Sequence, residues 1–284
     1  MTRRAHEGCA VATIRVDLAA IRAAHDLAGI RLDFRDPRLA MVVEGVTRTT
    51  GTRPRRQAAP TVPGVLRLML ANLRPSADPL GAREAMVARQ RAMLLLGFGA
   101  ALRRGELVAL TLGDLETVPG RGLRLTVRRS KTDQHGKGQP VAICANPAEP
   151  AFCPAAALET WMAHRRQAAD LDWAAPATLR AARPLFCGLT KTGRLTGAAL
   201  SDKAVVRLVK AAAAGGLDPE RYSGHSLRAG LATAAGDEGA GLAELMRQTR
   251  HKSTEVALGY LRPADLWRNN VTEKVFRGGE RQEN

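Results

Sequence analysis

The sequence predicts a mainly α-helical protein that carries one small antiparallel β-sheet. Three observations lead there. Apolar residues recur at helical spacing through most of the chain, and one stretch, 123–127, alternates apolar and polar residues with period two. The apolar runs are also too short to cross a bilayer: the longest, 93–102, holds Gly97 and Gly99 and falls well below the roughly 20 residues required. At 284 residues the chain has room for two domains or one large one, and 45% hydrophobic residues are enough for an ordinary core.

From the N-terminus, Ile14, Leu18, Ile21 and His25 share one helical face, so residues 13–28 read as an amphipathic helix with Thr13 at the N-cap. A second helix starts after Asp36, with Pro37 at its first position, and runs to about Val46. Residues 47–63 then hold three prolines, four arginines and no acid, the composition of a basic linker. A long helix follows at 82–101, apolar nearly all round toward its end and therefore central. A short helix at 103–110 continues it. Leu123, Leu125 and Val127 form the buried face of a strand, and after a glycine-containing loop at 132–139 the segment 141–143 pairs back antiparallel. Further helices are expected at 154–169, 202–214, 226–235, 241–249 and 263–270.

The charge balance narrows the partners. Forty-three Lys and Arg against 27 Asp and Glu leave +16, which points to a polyanion or an anionic surface. Cys9, Cys144, Cys153 and Cys187 are scattered without a Cys-x-x-Cys pair, so neither a zinc ribbon nor a disulfide scaffold is expected. Free thiols suit a reducing compartment. No apolar stretch follows the basic residues 1–6 as it would in a secretory leader, and the expected location is the cytoplasm.

Several groups could carry chemistry. Arg103 and Glu106 lie three apart, so the carboxylate can orient the guanidinium. His225 and Arg228 have the same spacing and can direct two donors at one oxyanion, while Ala229 and Gly230 permit close packing. Lys131 sits at the strand's end beside the loop, and His251 precedes Tyr260 by nine residues. Taken singly, each is equally an ordinary surface or core residue.

Their order is what discriminates. Arg103 in Ala-Leu-Arg-Arg-Gly-Glu-Leu, Lys131 in a hairpin, His225-Ser226-Leu227-Arg228, the run from Thr249 to Ser253 around His251, and then Tyr260 together resemble the tyrosine recombinase (phage integrase) family. The resemblance spans about residues 64–275 and includes all six positions of the family's active-site pattern. It implies the family's catalytic domain at 64–284, preceded by a basic linker at 48–63 and, at 1–47, the last two helices of a helical, SAM-like core-binding domain. The opening helices of that domain are expected to be missing, through a misplaced start, shortening or decay.

The same resemblance implies a mechanism. Tyr260 attacks a phosphodiester to give a 3′-phosphotyrosyl intermediate, Arg103 and Arg228 clamp the phosphate, and His251 adds a hydrogen bond. Lys131 protonates the leaving oxygen, His225 takes the tyrosine proton, and Glu106 holds Arg103. Arg48, Arg53, Arg55 and Arg56 are expected to lie along DNA phosphates. No cofactor or metal is implied. The implied partner is double-stranded DNA, bound by a homotetramer assembled from monomers, with residues 266–276 packing on a neighbouring copy and accessory DNA-bending proteins assisting. When bound to DNA the protein would sit at the nucleoid. Nicking and rejoining of the type IB topoisomerase kind, or a binding-only remnant, are the alternatives. One further departure is Arg250, where many relatives have Gly before the His; it is expected to be tolerated.

Overall fold

A computed structural model describes residues 2–52, 57–73, 82–128, 138–168, 171–190, 192–265 and 270–277. The chain divides into two compact units, residues 1–57 and 58–284.

The first unit contains α1 (Thr2–His6), α2 (Val11–Leu27) and α3 (Pro37–Thr50), one helix more than the spacing predicts. Its core is small: Val11, Ile14 and Val46 are buried, with Ala5 and Cys9 against them. Helix α2 starts before Thr13, and Ala10 stands at its N-cap. The expected cap is wrong because packing of Val11, together with Ile14, sets the start. At α3 the expected start holds: Pro37 occupies the first turn, and Asp36 Oδ1 accepts the backbone N–H of Arg38 at 2.8 Å as an N-cap. This helix runs past Val46 to Thr50. Arg48 is therefore helical and paired with Glu44 at 2.5 Å, instead of lying unopposed in a linker. Arg53, Arg55 and Arg56 lie outside the described residues.

The second unit opens with residues 58–62 laid along the segment ahead of α10 (Ser226–Asp237). Ala59 N–H donates to the Arg221 carbonyl at 2.7 Å and Thr61 N–H to that of Ser226 at 2.9 Å. The approach is so close that a Cβ on Gly230 would lie 2.1 Å from the Thr61 carbonyl oxygen, so only glycine fits there. Helix α4 (Pro63–Asn72) follows, a helix the sequence spacing did not single out. Then come α5 (Ala82–Gly99), α6 (Arg104–Ala109) and a three-stranded antiparallel sheet in the order β1 (Leu115–Val118), β2 (Gly122–Val127), β3 (Gln139–Cys144). Leu123 pairs with Ile143 and Leu125 with Val141, and all four side chains are buried, as the alternation predicts. Strand β1 and the two-stranded sheet of β4 (Cys187–Leu189) and β5 (Leu195–Ala199) were not expected. Lys131 and most of its loop lie outside the described residues.

The remaining helices are α7 (Pro154–Arg165), α8 (Ala177–Ala181), α9 (Asp202–Ala213), α10, α11 (Leu242–Thr249), α12 (Thr254–Asp265) and α13 (Val271–Arg277). Pro263 lies in the last turn of α12, which runs to Asp265, instead of opening a helix at 263–270, and residues 266–269 are outside the described set. One continuous core joins Leu66 and Met69 of α4, Leu94–Leu96 of α5, the inner faces of β2 and β3, Trp161 of α7, Val205 and Val209 of α9, and Leu227 of α10. Among the described residues no helix is long and apolar enough to cross a membrane.

Candidate active site

The end of α5 organises the site. The N–H groups of Ala101 and Leu102 fold back onto the carbonyls of Phe98 and Gly97, each at 2.9 Å, which is a Schellman cap. The cap places Ala101 at φ 47, a left-handed conformation that costs an alanine about 1 kcal/mol or more. In return, the negative end of the helix dipole and the carbonyls of Ala100 and Ala101 face the interior of the unit. That is a setting in which cations can be buried.

Two guanidiniums occupy it. Arg228, in the first turn of α10, is wholly buried and donates through Nη1 to the Ala101 carbonyl at 2.8 Å. Its Nη2 is buried with no hydrogen-bond partner among the described residues. Burial, then the nearby charges of Arg103 and Arg250, push Arg228 down to about 10, so it stays cationic at neutral pH. Arg250, at the end of α11, is 6% exposed and donates through Nη1 to the Ala100 carbonyl at 2.8 Å. Its Nη2 reaches Glu106 Oε2 at 2.9 Å.

Glu106 is the counter-charge. Its Oε2 also accepts the backbone N–H of Arg103 at 2.9 Å, capping α6, and its Oε1 accepts Arg103 Nη1 at 2.6 Å. Burial alone would raise the Glu106 carboxyl. The hydrogen bonds from Arg103 and the charges of Arg250 and Arg103 outweigh it and hold the group below the usual carboxylate range. Arg103 itself keeps 26% of its side chain exposed, so it is partly open to a ligand.

Above the arginines sit two imidazoles and a phenol. Tyr260, on α12, places its hydroxyl 3.3 Å from His225 Nε2, and its ring stacks on His251 with centroids 5.7 Å apart and planes 11° from parallel. His251 Nδ1 lies 2.8 Å from Thr249 Oγ1, whose hydroxyl also reaches the Leu245 carbonyl at 2.7 Å, and this fixes the ring's orientation. Burial, and then the positive charge of Arg228 and Arg103, lower both imidazoles: His225 falls below its ordinary value and His251 drops to about 4. Both are neutral at pH 7. Burial raises the Tyr260 phenol, with Arg228 opposing, so it is protonated.

The structure thus brings Arg103, Glu106, His225, Arg228, His251 and Tyr260 into one cluster drawn from α6, α10, α11 and α12. Sequence reasoning gave Arg250 no part in it, although the position carried a signal: a large cation stands where a helix end favours glycine. A cavity of about 910 Å³, lined in part by Leu112, Leu123, Met162 and Trp173, contains none of these residues. What the cluster offers is a set of fixed cationic donors beside a tyrosine and a neutral base, an arrangement suited to holding a phosphate and attacking it.

The chain has relatives among known proteins. The model of the phage integrase family matches residues 77–266. The chain is 30% identical over 234 residues to an integrase/recombinase XerD homolog of Selenomonas ruminantium, an alignment covering 82% of this chain and 64% of that protein. It therefore spans less than two thirds of that relative's length. Among solved structures, XerH site-specific recombinase in its post-cleavage complex with palindromic difH substrate matches with TM-score 0.58 at 18% identity, covering 82% of this chain and 55% of that one. The Tn1549 transposon integrase in complex with a circular intermediate DNA matches with TM-score 0.54 at 20% identity, covering 91% and 77% respectively. At these identities the likeness is one of fold: mainly helical, with small antiparallel sheets.

Proposed function

The chain belongs to the phage integrase family, and from that premise we propose that it is a site-specific DNA recombinase that cuts and rejoins strands through Tyr260. The observation that carries this reading is the convergence at one point of the Tyr260 hydroxyl, a neutral His225 3.3 Å away, and the buried Arg228 with an unpartnered Nη2 donor. A buried donor without an acceptor is costly, and a phosphate oxygen would satisfy it.

In this scheme Tyr260 Oη attacks phosphorus in line, and its proton passes to His225 Nε2. The bond from phosphorus to the 5′-oxygen breaks, that oxygen takes a proton from Lys131, and a 3′-phosphotyrosyl linkage remains. Attack by a 5′-hydroxyl from a second strand reverses these steps and frees the tyrosine, so the bond energy is conserved. Arg103 and Arg228 offset the charge that builds on the phosphorane oxygens, where electrostatic stabilisation is usually the largest contribution. Burial first, and then those same cations, hold His251 down, so an arriving phosphate that neutralises the cations raises its affinity for a proton and allows it to donate to the phosphate.

The +16 charge supports double-stranded DNA as the partner. Residues 1–47 would supply further contacts to DNA as part of a core-binding domain, joined through the basic segment 48–63 to the catalytic domain at 64–284. Exchange between two duplexes calls for four copies. The exposed Val271, Val275 and Phe276 of α13 suit packing on a neighbouring copy, with a monomer in free solution and DNA-bending proteins assisting at the site.

The test is a duplex drawn from DNA flanking the gene and nicked beside the cleavage position, incubated with wild type and Tyr260→Phe in EDTA. A covalent protein–DNA band from wild type alone is expected. A wild type that binds these duplexes and never forms the band would leave a binding protein without strand exchange.

A further inference from the structure

Arg250 carries two penalties at once. Its backbone sits at φ 57, ψ 39, where an L side chain is disfavoured, and its guanidinium is removed from water. Such a residue persists only where its surroundings over-determine it. Those surroundings are the two halves of the phosphate clamp. Arg250 Nη2 reaches Glu106 Oε2 at 2.9 Å, on the carboxylate that holds Arg103. The same nitrogen reaches the Ala101 carbonyl at 3.2 Å, the oxygen that also accepts Arg228 Nη1 at 2.8 Å. Its Nη1 binds the carbonyls of Ala100 at 2.8 Å and Gln248 at 3.2 Å, fixing the end of α11 from which His251 follows.

We propose that Arg250 is a positioning residue that ties Arg103, Arg228 and His251 into one rigid phosphate-binding unit. It does not touch the phosphate. Without it, Glu106 Oε2 keeps only the Arg103 backbone N–H, the Ala100 carbonyl loses a donor, and the two clamp arginines are no longer joined through a common cation. A lysine could not replace it, because one ammonium on a flexible stem cannot reproduce the planar fork that spans a carboxylate and three carbonyls. The inference rests on the recombinase reading, so its test includes a measurement that does not depend on strand cleavage.

Arg250→Gly is the informative variant, because glycine accepts the left-handed backbone without strain and the chain should fold. On saturating nicked duplex, single-turnover adduct formation is expected to slow on the order of 10- to 100-fold while DNA affinity is unchanged. Millimolar guanidinium should restore part of that rate where equal ionic strength of sodium chloride does not, and Arg250→Lys should recover little. Separately, carbon-13 NMR of the Glu106 carboxyl should show its titration moved upward in Arg250→Gly. That group faces Arg103 from the start of α6 and Arg250 from the end of α11, with Arg228 of α10 at longer range. Wild-type cleavage by the glycine variant, or a rate deficit that guanidinium leaves untouched, overturns the proposal. If wild type forms no adduct the recombinase reading falls instead, and the Glu106 titration alone decides: an unchanged curve overturns the tie, an upward shift sustains it.

Discussion

The two compact units treat charge and apolar surface in opposite ways. Among the described residues of the unit 1–57, three apolar side chains are buried and others stand in water, with Leu27 90% exposed, Met41 70% and Val16 67%. The charges there pair on the surface, as in Arg4–Asp17 and Arg48–Glu44. Residues 58–284 enclose a continuous apolar core and, beside it, bury Glu106, Arg228 and Arg250. Charge in water is mobile, weakly coupled and screened by salt; charge inside protein is fixed in direction and strongly coupled. The first arrangement suits attraction to a long polyanion, and the second suits holding one phosphate for chemistry.

Stability measurements can break that contrast. In urea unfolding, Trp161→Ala removes a fully buried ring stacked near Phe186 and its Nε1 bond to the Leu185 carbonyl, and about 3–5 kcal/mol is expected to go. Leu27→Ala, at the exposed end of α2, should stay within about 0.5 kcal/mol of wild type. Comparable losses at the two sites would abolish the distinction. Glu106→Gln should cost about 3 kcal/mol, because it strands Arg103 and Arg250 without their counter-charge. Glu44→Gln, which breaks a surface pair on α3, should cost no more than about 0.5 kcal/mol.

DNA affinity sharpens the other side. Replacing Arg53, Arg55 and Arg56 together by Ala should flatten the plot of log affinity against log salt by up to about 2.7, three contacts at about 0.9 each. The adduct rate at saturating DNA should be unaffected, and a slope that does not change would remove these residues from the interface. Acidity should separate the units as well. The unfolded chain protonates His251 near its ordinary 6.5, whereas the native cluster resists until about 4. Its contribution to stability is therefore complete above about pH 6.5 and disappears as pH falls toward 4, and His251→Gln should reduce that dependence. Titrating thermal unfolding from pH 8 to pH 4 measures it.

How far the sequence foretold the site follows the range of each interaction. Arg103 with Glu106 and His225 with Arg228 are three apart on single helices, so their convergence could be read directly. The closeness at Gly230 could also be anticipated from its small neighbours, though the partner, the backbone of Thr61, could not. Arg250 and Glu106 meet across the unit through no local pattern, which is why a residue expected merely to be tolerated turned out to lie at the centre of the cluster. Helix α12 was missed because Pro263 reads as a helix opening although it lies in that helix's last turn, and α4, ten residues long, offers too short a repeat for its buried Leu66, Met69 and Leu70 to stand out. Periodicity gave β2 and β3. The short, glycine-bearing β4 and β5 offer too few alternating residues to register.

The most direct test locates the covalent bond. The chain has two tyrosines, Tyr260 beside His225 and Tyr222 buried at 7% exposure. Adduct trapped on nicked duplex would be trimmed with nuclease and protease, and the modified peptide sequenced by mass spectrometry. The expected result is a nucleotide joined through its 3′-phosphate to Tyr260, a free 5′-hydroxyl on the released strand, no adduct from Tyr260→Phe and a normal one from Tyr222→Phe. A phosphate found on another residue, a 5′-linkage, or an adduct that survives in Tyr260→Phe would contradict the assignment of Tyr260 as the nucleophile.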